Sequence, residues 1–215
     1  MEQKVRSSPV ESGVAISTLH GQKEPGDSHV IVEAAPRILF AVIDGLGHGE
    51  EAAEAAEIAA SVIREFRHES VIPLVQRCHE LLRGTRGVVM SLGSINSQEN
   101  TVTWLGVGNV EGLLLHRDSY GTLIRETMTL RGGVVGDRLP NLFAGVFPLS
   151  PGDTIVLVTD GIRGDFADDL PLRESVQGIA DYILARFSRG TDDALALVIR
   201  YWGPEKEAAR VEAAR

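Results

Sequence analysis

The sequence predicts a single α+β domain built from mostly antiparallel sheets. The first observation is the order of its segments, in which strands are followed by two helices, a block of strands, one helix and a last strand. This order lacks the regular strand–helix alternation of a doubly wound parallel sheet. The second observation is a repeated pattern, in which a buried strand runs directly into Asp-Gly at residues 44–45 and at residues 160–161.

Length and composition agree with one domain. The chain has 215 residues, of which 43% are hydrophobic and 24% are charged, as in ordinary globular proteins. We expect the domain to span residues 1–202 and a charged, Ala-rich tail to span residues 203–215. The single cysteine, Cys78, excludes an intrachain disulfide, and its place on an apolar helical stripe predicts a core residue.

The charge balance excludes two classes of partner. The formal net charge is −9, whereas broad binding to nucleic acid or to an anionic membrane needs surfaces rich in Lys and Arg. No apolar run approaches the roughly 18 residues that cross a bilayer, and the polar N-terminal residues contain no apolar signal core. We therefore expect a cytoplasmic protein that binds neither nucleic acid nor membrane.

The first part of the chain predicts one strand, a hairpin and two helices. Gly13–Leu19 is a short apolar strand, and Val30–Ile43 predicts a hairpin that turns at its central AAPR. Glu50–Arg67 is helical because small apolar residues recur in it at steps of three and four. A second helix is predicted over Val71–Arg83, where Pro73 suits the first turn.

The rest of the chain predicts strands and one further helix. The strands are expected at Val88–Ile95, Thr101–His116, Glu126–Leu130, Thr154–Thr159 and Ala194–Trp202. The segment Thr101–His116 alternates over a length that suits a strand pair. Apolar residues at helical spacing predict the third helix over Arg173–Phe187.

Four aspartates near strand ends form the candidate site. Asp44 and Asp160 end buried strands, and Asp27 and Asp193 precede others. A lone Asp-Gly is only a turn signal, but the ends of core strands are where rigid scaffolds present catalytic groups. Converging carboxylates about 5 Å apart would repel by roughly 3 kcal/mol per pair, so a divalent cation is the simplest partner. Oxygen ligands favour Mg²⁺ or Mn²⁺ over Zn²⁺.

Five short motifs occur in order over most of the chain. They are GDS at Gly26–Ser28, DGLGHG at Asp44–Gly49, GVGN at Gly106–Asn109, VTDGI at Val158–Ile162 and TDDALALV at Thr191–Val198. Each motif is weak alone. Their order and spacing together resemble those of PPM/PP2C-type Ser/Thr phosphatases, in the form found in the SpoIIE/RsbU branch.

The resemblance implies a fold and a set of metal ligands. The fold would be an α-β-β-α sandwich, with two antiparallel sheets face to face and helices outside. Asp44 would bridge two Mn²⁺ or Mg²⁺ ions, and the Gly45 carbonyl would bind one of them. Asp160 and Asp193 would complete the coordination of the other ion. Asp27 would bind through a water molecule or bind the more open metal.

The resemblance also implies a reaction and a class of substrate. Two ions roughly 3.5–4 Å apart generate a hydroxide between them near neutral pH, and this hydroxide would attack the phosphorus of phosphoserine or phosphothreonine. The catalytic residues, Asp44, Asp160 and Asp193, would then act by holding the metals. The implied substrates are phosphorylated STAS-domain proteins, either of the stressosome or acting as anti-sigma-factor antagonists.

The sequence also departs from the pattern of the eukaryotic members. Leu46 stands where those enzymes have a His that protonates the leaving group, and His48 lies two residues further on. His48 is a candidate acid or phosphate contact, with a solvent-exposed or helix-capping residue as the alternative, and Arg163 is a candidate substrate contact, with an exposed loop residue as the alternative. The phosphate-binding Arg of those enzymes has no clear counterpart beside Asp27. The acid next to Asp193, Asp192, is a candidate turn residue.

Two other functions remain open from the sequence. One is a binding or scaffold protein that keeps the phosphatase fold without turnover, although the presence of all four acids argues against it. The other is a metal-dependent phosphohydrolase that acts on a small phosphorylated metabolite. No Walker loop or Rossmann fingerprint supports specificity for a nucleotide.

Overall fold

The computed structural model describes residues 8–204, and within that range the chain forms eleven strands and three α-helices. The strands are β1 (Val10–Ser17), β2 (Asp27–Ala34), β3 (Arg37–Gly45), β4 (Val88–Asn96), β5 (Thr101–Val107), β6 (Glu111–Arg117), β7 (Leu123–Thr127), β8 (Leu130–Arg131), β9 (Gly145–Pro148), β10 (Thr154–Val158) and β11 (Ala194–Tyr201). The helices are α1 (Glu50–Glu65), α2 (Val71–Leu81) and α3 (Val176–Phe187).

The strands form two sheets. One sheet has the order β1-β11-β10-β6-β7, and the other has the order β2-β3-β4-β5-β8, with β9 also paired to β5. The strand pairs are antiparallel except β5–β8, which is parallel. The predicted α+β class with mostly antiparallel sheets is therefore confirmed.

Three apolar clusters hold the layers together. On β3, Leu39 and Ala41 belong to the cluster under α1 and α2, whereas Phe40 and Val42 belong to the cluster between the sheets. Successive side chains of a strand point to opposite faces, so a strand buried on both sides needs a continuous apolar run. A third cluster packs α3 onto the outer face of the other sheet. The layers are helix, sheet, sheet and helix, as the sandwich prediction requires.

Most of the predicted elements are confirmed. The hairpin over Val30–Ile43 is β2–β3, and buried Cys78 packs in the cluster of α1 and α2. The third helix begins later than predicted, at Val176, because the Ser175 side chain accepts a hydrogen bond from the Gly178 N–H and caps it. Of the predicted tail at residues 203–215, only the first two residues lie within the described part of the chain.

The prediction of a strand pair over Thr101–His116 is wrong in one respect. The segment contains two strands, but β5 and β6 belong to different sheets. The connection crosses between the sheets at Gly108, whose φ of +94° and hydrogen bond to the Arg131 carbonyl turn the chain away from a hairpin. Local alternation predicts strands but not their partners. The short, half-exposed β9 carries too weak an apolar pattern to be predicted.

No helix between residues 8 and 204 is long and apolar enough to span a membrane.

The core between the sheets predicts a stability effect at Gly93. Gly93 pairs with Phe40 across β3 and β4, and a Cβ at Gly93 would collide with the Phe40 ring. We expect Gly93→Ala to lower the free energy of unfolding by about 1–3 kcal/mol, as overpacking of a dense core does. Denaturant unfolding followed by circular dichroism measures this change.

Gly132→Ala is the matched control for this prediction. A Cβ at Gly132 would meet no atom within 4 Å. This substitution should leave the unfolding midpoint nearly unchanged. Equal midpoints for the two variants would contradict the packing described for Gly93.

Candidate metal centre

Two of the four predicted acids meet at one end of the β2–β3 hairpin. The register of the two strands places Asp27 opposite Asp44. The Gly45 N–H donates to the Gly26 carbonyl at 3.0 Å, which holds the two strand ends together. Asp27 is buried and Asp44 is half-buried, so their carboxyls lie close together in partly dry surroundings.

The other sheet contributes the next acid and a hydroxyl that connects the two sheets. Asp160 follows β10 directly after Thr159. The Thr159 Oγ1 donates to the Asp27 Oδ2 at 2.8 Å and accepts from the Leu195 N–H at 2.9 Å. This single hydroxyl therefore connects Asp27, at the start of β2, to the end of β10 and the start of β11 in the other sheet.

Asp193 is buried, and both of its carboxylate oxygens are engaged by the backbone. Its Oδ1 accepts from the Leu19 N–H and its Oδ2 from the Gly26 N–H, each at 2.7 Å. Charge-assisted bonds of this kind are among the stronger hydrogen bonds in proteins. Asp193 therefore fixes the loop that leads into β2.

Asp192 has the opposite environment. Its side chain is exposed, and its Oδ1 accepts from the Asp193 N–H at 2.9 Å. The negative charges of Asp192 and Asp193 both help to raise the pKa of Asp27 and Asp44. Asp192 is thus the member of the pair whose carboxylate faces solvent near the other acids.

The loop that carries Asp160 is held from two sides. The Asn109 Nδ2 donates to the Asp160 Oδ2 at 2.8 Å. Arg189 donates from its Nε to the Asp160 carbonyl and from its backbone N–H to the Gly161 carbonyl, both at 2.8 Å. Because the adjacent Thr159 bonds to Asp27, this loop lies at the same end of the molecule as the first acid.

The gathered acids change each other's ionisation. Burial raises the pKa of Asp27 to about 7, although the Thr159 hydroxyl lowers it, and Asp193 and Asp160 add repulsion. Burial and the negative charge of Asp27 raise the pKa of Asp44 to about 8. In the part of the chain that the structure describes, no Lys, Arg or His forms an ion pair with these acids.

The acids lie near one another, but their side chains are not arranged around a common centre. Among residues 8–204, no group of three Asp, Glu, His or Cys side chains is arranged to hold a metal ion. Bringing ionised carboxylates closer together costs Coulomb energy unless a cation neutralises them. The carboxylates must therefore turn toward a cation in order to bind it.

Two glycines allow the strand ends to pack closely. A Cβ at Gly45 would collide with the Ala52 carbonyl in α1, and a Cβ at Gly161 would collide with the Asp193 carbonyl. Each Asp-Gly pair thus needs its glycine for close approach to neighbouring backbone. Whether the Gly45 carbonyl binds a metal stays a prediction.

The two predicted substrate contacts do not touch the acids. The His48 Nδ1 lies 3.3 Å from the Gln22 amide nitrogen, and its side chain is exposed. Arg163 pairs with Asp165 at 3.1 Å and lies over the Phe187 ring. Their roles toward substrate stay predictions.

Several polar residues of the site were not singled out from the sequence. Thr159 and Asn109 stand inside the VTDGI and GVGN motifs, so the motifs themselves could have indicated them. Arg189 and Arg86 lie outside any motif. Arg86 occupies the space above Gly47 and bonds to Glu51 at the start of α1.

The raised pKa values predict that the metal-free protein loses stability as pH rises. Folded Asp27 and Asp44 keep their protons to about pH 7 and pH 8, whereas an ordinary Asp ionises near 3.8. The native chain then binds more protons than the unfolded chain across this window, so its free energy of unfolding falls as pH rises from about 4 to about 8. Denaturant melts at pH 5 and pH 8 in EDTA measure this fall.

Asp44→Asn is the control for the pH experiment. The variant should show a smaller fall, since one of the two groups no longer titrates. Saturating Mg²⁺ should likewise reduce the fall in the unmodified chain by neutralising the acids. Stability of the metal-free chain that stays constant or rises between pH 5 and pH 8 would contradict the proposed repulsion.

Known proteins are similar to this chain in sequence and in fold. Residues 35–202 match the family model "Stage II sporulation protein E (SpoIIE)". Phosphoserine phosphatase RsbX of Bacillus subtilis (strain 168) is 25% identical over 191 residues, which cover 86% of this chain and 94% of RsbX.

Solved structures share the fold. One, described as "The bacterial stressosome: a modular system that has been adapted to control secondary messenger signaling", has 27% identity and a TM-score of 0.80, and the match covers 90% of this chain and 100% of that chain. RsbX in complex with magnesium has 22% identity and a TM-score of 0.80, with 92% and 98% covered. With the matched fold, the acids at the strand ends and a family model that covers most of its length, the chain belongs to the SpoIIE family.

Proposed function

We propose that this chain is a divalent-metal-dependent protein phosphatase that hydrolyses phosphoserine or phosphothreonine. The observation that carries the proposal is the gathering of aspartates from both sheets at one end of the sandwich, in a chain of the SpoIIE family. The gathered acids need positive charge, and no side chain between residues 8 and 204 supplies it as an ion pair.

The donor set fits Mg²⁺ or Mn²⁺. The candidate ligands are carboxylates and a backbone carbonyl, the oxygen donors that hard cations prefer. In the proposal, the Asp44 and Asp160 carboxylates would bind the metal ions directly, and the Gly45 carbonyl would be a further ligand of one ion. Asp27 is held by Thr159 and acts on the more open ion or through water. Two ions for each chain are part of the proposal.

For the remaining ligand, we favour Asp192 over the sequence-based choice of Asp193. Both oxygens of Asp193 already accept backbone N–H groups, and its side chain is buried. Asp192 is exposed, and only its Oδ1 has a hydrogen bond that the structure describes, to the Asp193 N–H. Asp193 would then position the loop next to the metals, and Asp192 would bind one.

The reaction needs little covalent chemistry from the protein. When bound, divalent cations neutralise phosphoryl oxygens and lower the pKa of water, so that water can attack phosphorus near neutral pH. The chain's own aspartates hold and orient the cations. Cys78 is buried and its thiol pKa is raised to about 12, which agrees with a reaction that uses no cysteine nucleophile.

The substrate class is proposed from the relatives. RsbX is a phosphoserine phosphatase, and the structural neighbour at 27% identity comes from work on the bacterial stressosome. We propose that the substrates are phosphorylated STAS-domain proteins of the stressosome or anti-sigma-factor antagonist type. Such a role would place the chain in the cytoplasm.

Substitutions of the neighbouring acids test the ligand assignment. With an aryl phosphate and Mn²⁺, we expect Asp160→Asn and Asp192→Asn to lower kcat/KM by more than the roughly 10- to 100-fold that loss of an outer-shell partner costs, since each removes a charged ligand. Asp193→Asn should act mainly on folding, by about 1–3 kcal/mol, since it weakens the bonds to the Leu19 and Gly26 N–H groups. Kinetics and denaturant melts on the three variants separate these effects.

The opposite pattern would contradict the assignment. If Asp193→Asn abolished turnover in a fully folded protein while Asp192→Asn stayed active, Asp193 would be the ligand. Activity that survives EDTA would contradict metal dependence itself.

A substrate comparison separates the alternative functions. The unmodified chain with Mn²⁺ should release phosphate from a phosphorylated STAS-domain protein faster than from small phosphorylated metabolites at equal concentration. Faster turnover of a metabolite would favour the small-molecule phosphohydrolase. A folded, metal-loaded chain that is inert on both, and on an aryl phosphate, would favour a binding or scaffold protein.

A further inference from the structure

The GVGN motif carries a side chain that reaches the candidate metal centre. The Asn109 Nδ2 donates to the Asp160 Oδ2 at 2.8 Å. Asn109 itself is exposed, so burial in the core does not force this contact. A neutral amide thus touches a carboxylate that lies among other acids.

Both neighbours of Asn109 are firmly held. Gly108 has a φ of +94°, its N–H donates to the Arg131 carbonyl at 2.8 Å, and a Cβ at this position would collide with Val89. Val110 is buried, and its carbonyl accepts from the Ser91 hydroxyl at 2.7 Å. The backbone at Asn109 is therefore fixed where β5 crosses to β6, which gives its amide a defined position.

Asp160 is held on its other side through the main chain. The Arg189 Nε donates to the Asp160 carbonyl, and the Arg189 N–H donates to the Gly161 carbonyl. With the backbone fixed, rotation of the side chain is the freedom that remains to the Asp160 carboxylate. The hydrogen bond from the Asn109 amide restricts this rotation.

The chemistry of an amide suits this position. An amide N–H₂ orients a carboxylate without cancelling its charge, whereas Lys or Arg would compete with a cation for it. An aspartate would add another negative charge to a cluster whose members already repel one another. The hydrogen bond engages Oδ2 and leaves Oδ1 available.

We propose that Asn109 is a positioning residue for Asp160, holding its carboxylate by Oδ2 so that Oδ1 is presented to the cation. The inference rests on Asp160 being a metal ligand in the proposed function, but it does not depend on phosphatase activity. Removal of a residue that orients a metal ligand typically weakens metal binding by about 10- to 100-fold.

Calorimetric titration of Mn²⁺ into the metal-free chain tests the proposal. We expect Asn109→Ala and the size-matched Asn109→Leu to raise the Kd for Mn²⁺ by about 10- to 100-fold. The melting temperature without metal should stay close to that of the unmodified chain, because Asn109 is exposed. Turnover of an aryl phosphate should recover in both variants at high Mn²⁺, since the metal ligands remain.

Gln98→Ala is the matched control. Gln98 is an exposed amide in the turn between β4 and β5, at the end of β4 away from Gly45. Its loss should change the Kd for Mn²⁺ by less than about twofold, because no ligand depends on it.

Three outcomes would overturn the proposal. One is a Kd for Mn²⁺ that is unchanged in both Asn109 variants. Another is a lower metal-free melting temperature with unchanged affinity, which would assign Asn109 a purely structural role. The third is an unmodified chain that binds no Mn²⁺, which would overturn the metal site as well. A chain that binds Mn²⁺ but hydrolyses no phosphate would contradict the proposed function alone, and the calorimetric comparison would still decide the role of Asn109.

Discussion

Repulsion among the aspartates at one end of the two sheets is the interaction on which the site depends. Burial and neighbouring charge raise the pKa of Asp27 and Asp44 to about 7 and about 8. Such a cluster is costly in a folded chain unless cations or protons neutralise it. A cation that binds relieves this repulsion, and the sandwich already holds the carboxylates near one another. Affinity for a divalent ion is therefore a consequence of how the strands end.

The carboxylates themselves are held by hydrogen bonds from neutral groups. The Thr159 hydroxyl ties Asp27 to the opposite sheet, and backbone N–H groups hold both oxygens of Asp193. Gly45 and Gly161 let the strand ends approach neighbouring backbone where a Cβ would collide. Hydrogen bonds from neutral groups orient the acids and leave their charge for a cation. The adjacent acids Asp192 and Asp193 have opposite environments, since Asp193 is buried and held by backbone N–H groups whereas Asp192 is exposed.

Much of the fold could be predicted because its signals are local. Buried strands appear as continuous apolar runs, and the two Asp-Gly pairs mark their ends. The pairing of β5 and β6 with different sheets could not be predicted, because alternation describes a strand and not its partner. The burial of Asp193 could not be predicted either. It depends on hydrogen bonds from the N–H groups of Leu19 and Gly26, which lie more than 160 residues away in the sequence.

The most direct test of the metal centre is diffraction from crystals of this chain soaked in Mn²⁺, measured at the manganese absorption edge. The central claim predicts anomalous peaks at the strand ends, within coordination distance of the Asp44 and Asp192 carboxylates and of the Gly45 carbonyl. The Asp160 Oδ1 should bind an ion while its Oδ2 keeps the hydrogen bond to Asn109. Absence of peaks at this end of the sandwich, or a peak bound by Asp193 with Asp192 turned away, would contradict it.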